Sequence, residues 1–336
     1  MAQSINFNKH KNLLILGKAA TNNYRKTIVY ADNYNKVYNA YGDSDLTEAY
    51  KIAKDLGAPY VFLCNCRYEY DYLELADTLR DSDFAYIVPV SIYISDEFDE
   101  PKTERKISYV EYLLEKMGSY NESVFIVTDK KAELYDTIDN FIKASNDVAN
   151  NIKKKLKYPA NPEDLIFVVN NLSDYKMANL PLAVSLCVTE PYEYPQVDFG
   201  NAVFLLDQYE DIGNWAYFQN HNVRPTTVEN LLNFKSICPE KIVFISRIIK
   251  IIKRELDFSD YIGKQYSEYR RLNIQTKLQE YLDSIMNTLI YKYNIIHVKA
   301  YKANTEKLSV IVENVFEIWP INSTEKVTIS QNVEVC

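Results

Sequence analysis

The chain has 336 residues, of which 47% are hydrophobic and 25% are charged, and its formal net charge is −8. This is the composition of an ordinary folded protein, and it excludes wholesale disorder. The acidic balance argues against a nucleic-acid surface, and no apolar run reaches the ~18 residues that a membrane helix needs. The length predicts roughly two domains, and the polar stretch Met1–Asn12 predicts no secretory signal.

The first half of the sequence alternates between strand patterns and helix patterns. Strands are predicted at Leu13–Leu16, Thr27–Tyr30, Tyr60–Cys66, Phe84–Ile94, Val124–Thr128, Leu165–Val169 and Val203–Leu206. Helices are predicted at Asp32–Tyr41, Asp45–Leu56, Tyr72–Leu79, Ile107–Met117, Ala132–Leu156 and Met177–Val188. Strands separated by helices of this length indicate βαβ units and a mostly parallel sheet.

Three local signals refine these elements. Asp45 has a glutamate three residues later, which resembles a capping box and makes Asp45 the predicted N-cap of its helix. Pro89 interrupts the strand Phe84–Ile94, which predicts an edge strand or a broken one. Pro181 predicts a bend in the helix that contains it.

The pattern changes around Pro239. Two amphipathic helices are predicted at Ile242–Leu256 and Asn273–Tyr293, and strands at Ile295–Tyr301, Leu308–Ile318 and Val327–Val335. This part of the chain is therefore predicted to be a compact α+β unit, with the boundary to the α/β part within Asn222–Cys238.

The last predicted strand alternates between apolar and polar residues. Its apolar residues lie at odd positions, with Gln331 as the one polar exception: Val327, Ile329, Val333 and Val335. This period is typical of a strand with one buried face. A terminal strand of this kind either completes its own sheet or adds to the edge of another chain's sheet.

Gly42-Asp43-Ser44 is the triplet of one esterase and lipase family, in which the serine is the nucleophile. That serine needs a histidine base, commonly from an Asp-x-x-His pair. Neither His221 nor His297 has an aspartate three residues before it. The triplet also follows a predicted helix, which favours helix capping; a small α/β hydrolase using Ser44 is the remote alternative.

Glycine is scarce, with 7 residues where average usage would give about 24. Phosphate-binding loops need glycine for tight turns and close approach to the anion. Neither G-x-G-x-x-G nor G-x-x-x-x-G-K-S/T occurs in the sequence. The sequence therefore argues against the common nucleotide enzymes, and we expect no cofactor.

The sequence shows no convincing metal ligands. The scattered, odd-numbered cysteines predict reduced thiols, buried in the case of the first two: Cys64, Cys66, Cys187, Cys238 and Cys336. The acidic run Ser95–Glu100 lacks the spacing and the glycine of an EF-hand, so we interpret it as a solvated loop. We interpret His297 as a core histidine of a strand.

A basic stripe lies opposite the apolar face of the helix Ile242–Leu256 and contains Arg247, Lys250 and Arg254. Such charges are usually the solvated face of a helix. The alternative is a docking surface for an acidic protein.

The order of motifs at the two ends of the chain resembles one family. Leu13–Ala19 (LLILGKA), Thr27–Tyr34, Tyr41-Gly42, Leu46–Ala58 (LTEAYKIAKDLGA) and Tyr60–Leu63 (YVFL) follow each other in the N-terminal third. Ile242–Ile249, Leu308–Pro320 and Val327–Val335 follow each other in the C-terminal third. In order and spacing these segments are similar to the contractile phage tail sheath proteins, and they cover about two thirds of the chain.

Two departures make this a minimal member of that pattern. The family commonly has an arm of ~20 residues before the first strand, whereas Met1–Lys11 is all that precedes it here, with Ile5 and Phe7 as its apolar residues. The Gly-Ala-Arg-Thr stretch that the family has before its arginine-bearing helix is replaced by Ser236–Pro239.

The resemblance implies an organisation of the chain. We expect an N-terminal arm at 1–11, an α/β part with a mostly parallel sheet at 12–235, a C-terminal α+β domain with a β-hairpin at 236–320, and an extended C-terminal arm at 321–336. The arms would pair with neighbouring subunits through Ile5 and Phe7 at one end. At the other end they would use Val327, Ile329, Val333 and Val335.

The resemblance also implies a function. A sheath subunit is a structural protein and not an enzyme, and it forms stacked hexameric rings around an inner tube. Its partners are other copies of itself, the tail tube protein, and the baseplate and terminator proteins, with no nucleic acid and no membrane insertion. It is found in the virion tail, and in the host cytoplasm during assembly. Arg247, Lys250 and Arg254 would face the tube. A sheath-like collar, cap or baseplate ring subunit is the alternative.

Overall fold

The structure is a computed structural model of the chain. It describes residues 11–80, 82, 84–93, 96–100, 105–117, 123–128, 165–168, 177, 179–190, 217–219, 222–224, 239–302, 310–321 and 326–335. Contacts divide the chain into two compact units, Met1–Val243 and Phe244–Cys336. The predicted helix Ala132–Leu156, the predicted strand Val203–Leu206 and the predicted arm residues Ile5 and Phe7 lie outside the described residues. The four-part division of the chain stays a prediction.

The first unit is built on a six-stranded sheet. Its elements in chain order are β1 (Asn12–Gly17), β2 (Ile28–Ala31), α1 (Tyr34–Tyr41), α2 (Asp45–Asp55), β3 (Tyr60–Asn65), α3 (Glu69–Arg80), β4 (Tyr86–Pro89), β5 (Glu97–Asp99), β6 (Lys106–Ser108), α4 (Tyr109–Met117), β7 (Val124–Thr128), β8 (Leu165–Val168), α5 (Asn179–Val188), β9 (Tyr217–Gln219) and β10 (Asn222–Arg224). The strand order is β2-β3-β1-β4-β7-β8, and every neighbouring pair is parallel except β2 with β3. The predicted mostly parallel sheet is confirmed.

Helices cover both faces of this sheet, which is why β1 is buried along its whole length. Successive side chains of a strand point to opposite faces. Leu13 and Ile15 therefore pack in one core with α1, α2 and α5, whereas Leu14 and Leu16 pack in a second core with α3 and α4. The two cores account for the near-continuous apolar runs that the sequence shows at β1, β4 and β7.

The position of β4 corrects the expectation drawn from Pro89. The strand lies in the interior of the sheet, between β1 and β7, so the edge-strand alternative is wrong. Pro89 is its last residue and pairs with Leu16. The hydrogen bond to the Leu16 carbonyl comes from the next residue, Val90, whose N–H donates to it at 2.8 Å. Proline is tolerated here because the strand ends with it.

Helix boundaries differ from the predicted ones where capping or strand pairing decides them. Ser44, rather than Asp45, is the N-cap of α2, because its Oγ accepts a hydrogen bond from the Thr47 N–H. Pro181 is the third residue of α5, where a missing N–H costs no helical hydrogen bond, so the reason for a bend disappears. α4 begins two residues later than predicted because Ile107 and its neighbours pair with β5.

The second unit packs helices against an antiparallel sheet. Its elements are α6 (Pro239–Glu255), which begins before the boundary at Phe244, a short 3-10 turn (Ser259–Tyr261), α7 (Glu268–Ser284), β11 (Ile290–Lys302), β12 (Val310–Pro320) and β13 (Val327–Val335). The sheet order is β11-β12-β13, and both pairs are antiparallel. Ile252, Leu278 and Phe316 are fully buried in its core. The predicted C-terminal α+β unit is confirmed.

The predicted helix Asn273–Tyr293 is wrong at its C-terminal end. α7 ends at Ser284, and Asn287 with φ 62° lies in the turn that follows. Tyr293, which continues the helical spacing by coincidence, lies in β11 opposite Ile318. Strand pairing along the length of β12 outweighs the helical pattern here, because local propensity is weaker than tertiary context.

Candidate assembly site

The terminal strand β13 pairs with β12 of its own chain. The pairs run from Val310 with Val335 to Ile318 with Val327. Ile329, Val333 and Val335 are buried and Val327 is half-buried, and all four belong to the core of the second unit. Within a single chain the strand thus completes its own sheet, one of the two alternatives that the sequence left open, and its role as an arm that pairs with a neighbour stays a prediction.

The two edges of β13 differ in their hydrogen bonding. β12 satisfies one edge, whereas on the other the Gly263 N–H donates to the Glu334 carbonyl at 3.2 Å. In an antiparallel pair of strands, a residue whose carbonyl points away from the partner strand belongs to a non-hydrogen-bonded pair. Such pairs occur at every second residue along the strand. Thr328, Ser330 and Asn332 thus direct their backbone groups outward, and no backbone partner is found for them in the part of the chain that the structure describes.

Polar pairs connect the outer face of the sheet. Lys326 and Asn294 both donate to Glu317, with 3.1 Å between Asn294 Nδ2 and Glu317 Oε2, and these two hydrogen bonds hold the pKa of Glu317 below its ordinary value. His297 Nε2 lies 2.9 Å from Glu313 Oε2. His297 is half-buried on this face, so its interpretation as a core histidine is wrong.

The predicted tube-facing residues of α6 differ in exposure. Arg247 and Lys250 are 7% and 6% exposed, whereas Arg254 is half-buried. A side chain that is almost fully covered offers little surface to a partner. The interpretation of all three as a solvated helix face is therefore wrong for Arg247 and Lys250, and the prediction that the three face a tube stays untested.

The carboxyl ends of β1 and β4 are the place where a doubly wound sheet binds ligands, since the strand order reverses there. Here a hydrogen-bonded chain of protein groups occupies this position. The Lys18 N–H donates to Ser91 Oγ at 2.8 Å, and Ser91 Oγ donates to Asp45 Oδ2 at 3.1 Å. These groups connect the two strand ends to the start of α2.

Ser44 has the environment of a capping residue. Its Oγ lies 3.4 Å from the Thr47 nitrogen and 3.2 Å from Thr47 Oγ1, and Thr47 Oγ1 in turn donates to the Gly42 carbonyl. These hydrogen bonds make the Ser44 hydroxyl the N-terminal cap of α2. The structure thus supports the capping interpretation of the Gly-Asp-Ser triplet.

The described cysteines and the acidic run that were weighed as metal ligands lie on different elements of the first unit. Cys64, Cys66 and Cys187 are buried and form no disulfide, as predicted for the first two, and burial raises the pKa of the Cys66 thiol. Asp96 accepts from the Tyr93 N–H at 2.9 Å, as a turn residue does. Over the described ranges, no group of three or more histidine, cysteine or acidic side chains is placed to bind a metal ion. The helices within those ranges also lack the combined length and hydrophobicity of a membrane-crossing segment.

Sequence reasoning missed a charged cluster beside β3. Arg25 forms an ion pair with the fully buried Asp71, at 2.6 Å between a terminal guanidinium nitrogen and Oδ1. The guanidinium carbon lies 4.9 Å from the ring centroids of both Tyr68 and Tyr70, which stack on each other. The hydrogen bond to Asp71 is the main reason why the pKa of Arg25 is raised. The partners lie 46 residues apart, so no local sequence signal identifies them.

The sequence and the structure of this chain differ in what they resemble among known proteins. No family model matches the sequence, and no curated protein matches it. The structure is similar to the sheath tail protein of Listeria innocua, with 11% identity and a TM-score of 0.59 over 96% of this chain and 94% of that one.

Two further solved structures are similar at lower scores. They are the sheath tail protein of Desulfitobacterium hafniense (10% identity, TM-score 0.46, 97% of this chain and 96% of that one) and the contracted helical sheath of the anti-feeding prophage (9%, 0.48, 97% and 88%). The likeness to the Listeria innocua protein shows the fold. The chain therefore has the fold of a solved tail sheath protein along almost its whole length.

Proposed function

We propose that this chain is a structural subunit, and not an enzyme, of a contractile phage tail sheath or of a related tail-like injection particle. The observation that carries the proposal is the shared fold with a sheath tail protein, which extends over 96% of this chain and 94% of the other. The capping role of Ser44 agrees with it, because the hydroxyl is used at the start of α2. The location is then the virion tail, with assembly in the host cytoplasm.

In this proposal the subunits form hexameric rings that stack around an inner tube. The partners are further copies of the chain, the tail tube protein, and the baseplate and terminator proteins. Contraction moves subunits as rigid bodies between two sets of interfaces, so the energy comes from the difference between the interfaces. The segment 1–11, through Ile5 and Phe7, is the N-terminal contact to a neighbour.

The C-terminal contact is an exchange of β13 between copies. Val327, Ile329, Val333 and Val335 of one subunit would occupy, on the β12 of its neighbour, the positions they hold on their own β12. The feature that supports this is the pairing of β13 with β12 alone among the described strands, so that it can leave the sheet without separating two other strands. Exchange of an identical element costs little, because the same contacts form again.

Electron microscopy of the purified protein tests the proposal. Long hollow tubes are the expected result, alone or after addition of the tube protein. Closed rings that never extend would favour the collar, cap or baseplate alternative. A chain that stays monomeric with the tube protein present and hydrolyses ester substrates in a Ser44-dependent manner would contradict the proposal.

Engineered cysteines test the exchange directly. Glu313 and Asn332 face each other in a non-hydrogen-bonded pair, whose Cα separation of about 4.5 Å suits a disulfide. We expect assembled mixtures of an E313C chain and an N332C chain to form covalent dimers on oxidation. A mixture in which only unlinked chains remain, while the E313C/N332C double variant forms its internal disulfide, would contradict exchange.

A tube contact through α6 would rest on Arg254, because Arg247 and Lys250 are nearly covered. Reversal of its charge in R254E is expected to weaken co-assembly with the tube protein, and more so at low salt. The matched control is K264E, which reverses an exposed charge in the same unit. Equal co-assembly of the two variants would remove α6 from the tube interface.

A further inference from the structure

The buried faces of β12 and β13 are almost interchangeable along their length. β12 presents Val310, Val312, Asn314, Phe316 and Ile318 to the core, and β13 presents Val335, Val333, Gln331, Ile329 and Val327 opposite them. A slip of two residues keeps every side chain on the same face of the sheet. Apart from the two amides and one residue at an end of β12, such a slip places aliphatic or aromatic side chains opposite aliphatic ones, so hydrophobic burial selects the register only weakly.

The two amides break this equivalence. Asn314 lies directly opposite Gln331, and Asn314 is fully buried in the central strand, with Val298 of β11 on its other side. Neither the amide nitrogen nor the amide oxygen of Asn314 has a hydrogen-bond partner among the described residues, and the buried Gln331 Oε1 has none either. Side chains that oppose each other in a sheet have Cβ atoms about 4.5–5.5 Å apart. In this register each amide has the other as its polar neighbour, and a rotation about the side-chain torsions is enough to join the two by a hydrogen bond.

We propose that Asn314 and Gln331, the amide pair, determine the register in which a terminal strand is accepted by β12. A two-residue slip would put Asn314 opposite Ile329 and Gln331 opposite Val312, and it would leave two separate amides among apolar side chains. In the slipped register neither amide has the other within reach, so no change of side-chain torsion can give their donors and acceptors a partner in place of the water they lost. A single buried asparagine determines the register of coiled coils by the same physics.

This inference rests on the proposed function for its biological meaning. When β13 pairs with its own β12, the turn between the strands also restricts the register. When the strand comes from a second copy, no turn connects it to the β12 that receives it, and only side chains remain to align it. The amide pair would then make the partner specific, since a neighbour's β13 carries the matching Gln331 at the matching position.

On the outer face of the sheet, charged side chains disfavour one of the two possible two-residue slips but not the other. A slip in one direction brings Glu313 opposite Glu334, and directly opposed like charges disfavour it. A slip in the other direction brings Glu313 opposite Ser330 and Glu317 opposite Lys326, which the charges permit. The amide pair is the feature that disfavours this second slip, so it is the register to monitor.

Disulfide trapping measures this register in the purified chain. The native register is reported by E313C/N332C and the competing one by E313C/S330C, both with Cys238 and Cys336 replaced by serine. We expect rapid oxidation of the first pair and little of the second in the otherwise unchanged chain. Adding N314V and Q331V together should raise the ratio of slipped to native trapping about tenfold.

The matched control is T328V, which removes a polar group from the exposed face of the same strand and should leave the ratio unchanged. Circular dichroism and thermal unfolding show whether each variant is folded. Exclusive native trapping in the folded N314V/Q331V variant, or an equal rise in the ratio with T328V, would overturn the inference. If N314V/Q331V does not fold, Q331V alone provides the same comparison. A chain that never assembles would contradict the proposed function, whereas the register is read in the monomer.

Discussion

Gly17 and Val90 are in contact at the ends of two neighbouring parallel strands. A Cβ atom placed on Gly17 would lie 2.7 Å from Val90 Cγ2 and 3.3 Å from Leu46 Cδ1. The absence of a side chain at Gly17 thus lets the chain that leaves β4 pass directly over the end of β1. This contact fills the position at which doubly wound sheets bind ligands, and Gly17, the last residue of β1, is used there for packing against Val90.

The first prediction follows from this contact. Gly17→Ala is expected to destabilise the first unit by about 1–3 kcal/mol, the usual cost of overpacking a buried site. Urea unfolding, followed by circular dichroism, measures the change. Val90→Ala removes the clashing methyl group, so G17A/V90A should be more stable than the sum of the single changes predicts. Simple additivity would mean that the contact with Val90 is not the cause.

A second prediction concerns the ion pair of Arg25 with Asp71. Arg25→Ala is expected to lower the thermal midpoint clearly, because it leaves the fully buried Asp71 carboxylate without its guanidinium. Lys26→Ala is the matched control, since Lys26 is adjacent and pairs with Glu74 at an exposed position. That control should change stability by about 0.5 kcal/mol or less. Equal effects of the two variants would show that the Asp71 pair contributes no more than a surface pair.

Glu317 gives a prediction about acidic pH. Hydrogen bonds from Lys326 and Asn294 lower its pKa in the folded state, so its contribution to stability is present above the ordinary pKa of about 4.3 and is lost as the pH falls through the lower folded value. Thermal midpoints measured from neutral to acidic pH should therefore fall less steeply for E317Q than for the unchanged chain. Parallel curves for the two proteins would contradict the assigned pairing.

Tyr109 gives the corresponding prediction for alkaline pH. Burial, and then the Glu69 carboxylate that accepts a hydrogen bond from its hydroxyl at 3.2 Å, raise the pKa of Tyr109 to about 12. Its stabilising contribution is complete below the ordinary pKa of about 10 and is lost as the pH rises through the folded value. We expect Y109F to lose less stability than the unchanged chain between about pH 10 and 12, as measured by urea unfolding. A steeper loss in Y109F would refute this assignment.

Much of the architecture is readable from local pattern. The bounds of β7 and β13 agree with the predicted strands residue by residue, because period-2 alternation and short apolar runs depend only on nearest neighbours. The alternation of strands and helices also predicted the mostly parallel sheet, since connections of that length favour parallel crossovers. The amide at Gln331 was visible in the sequence as an exception to its strand, but its partner was not.

What the sequence determined by itself is therefore the kind and order of elements, which follow from periodicity and from turn residues. Only the tertiary structure decided that β4 is an interior strand, that α7 ends at Ser284, and that Arg247 and Lys250 are covered. It also brought Asn314 opposite Gln331 and Arg25 onto Asp71. The physical reason is that these relations depend on which distant segments pack together, and packing free energy is shared across the core instead of being carried by any local stretch of chain.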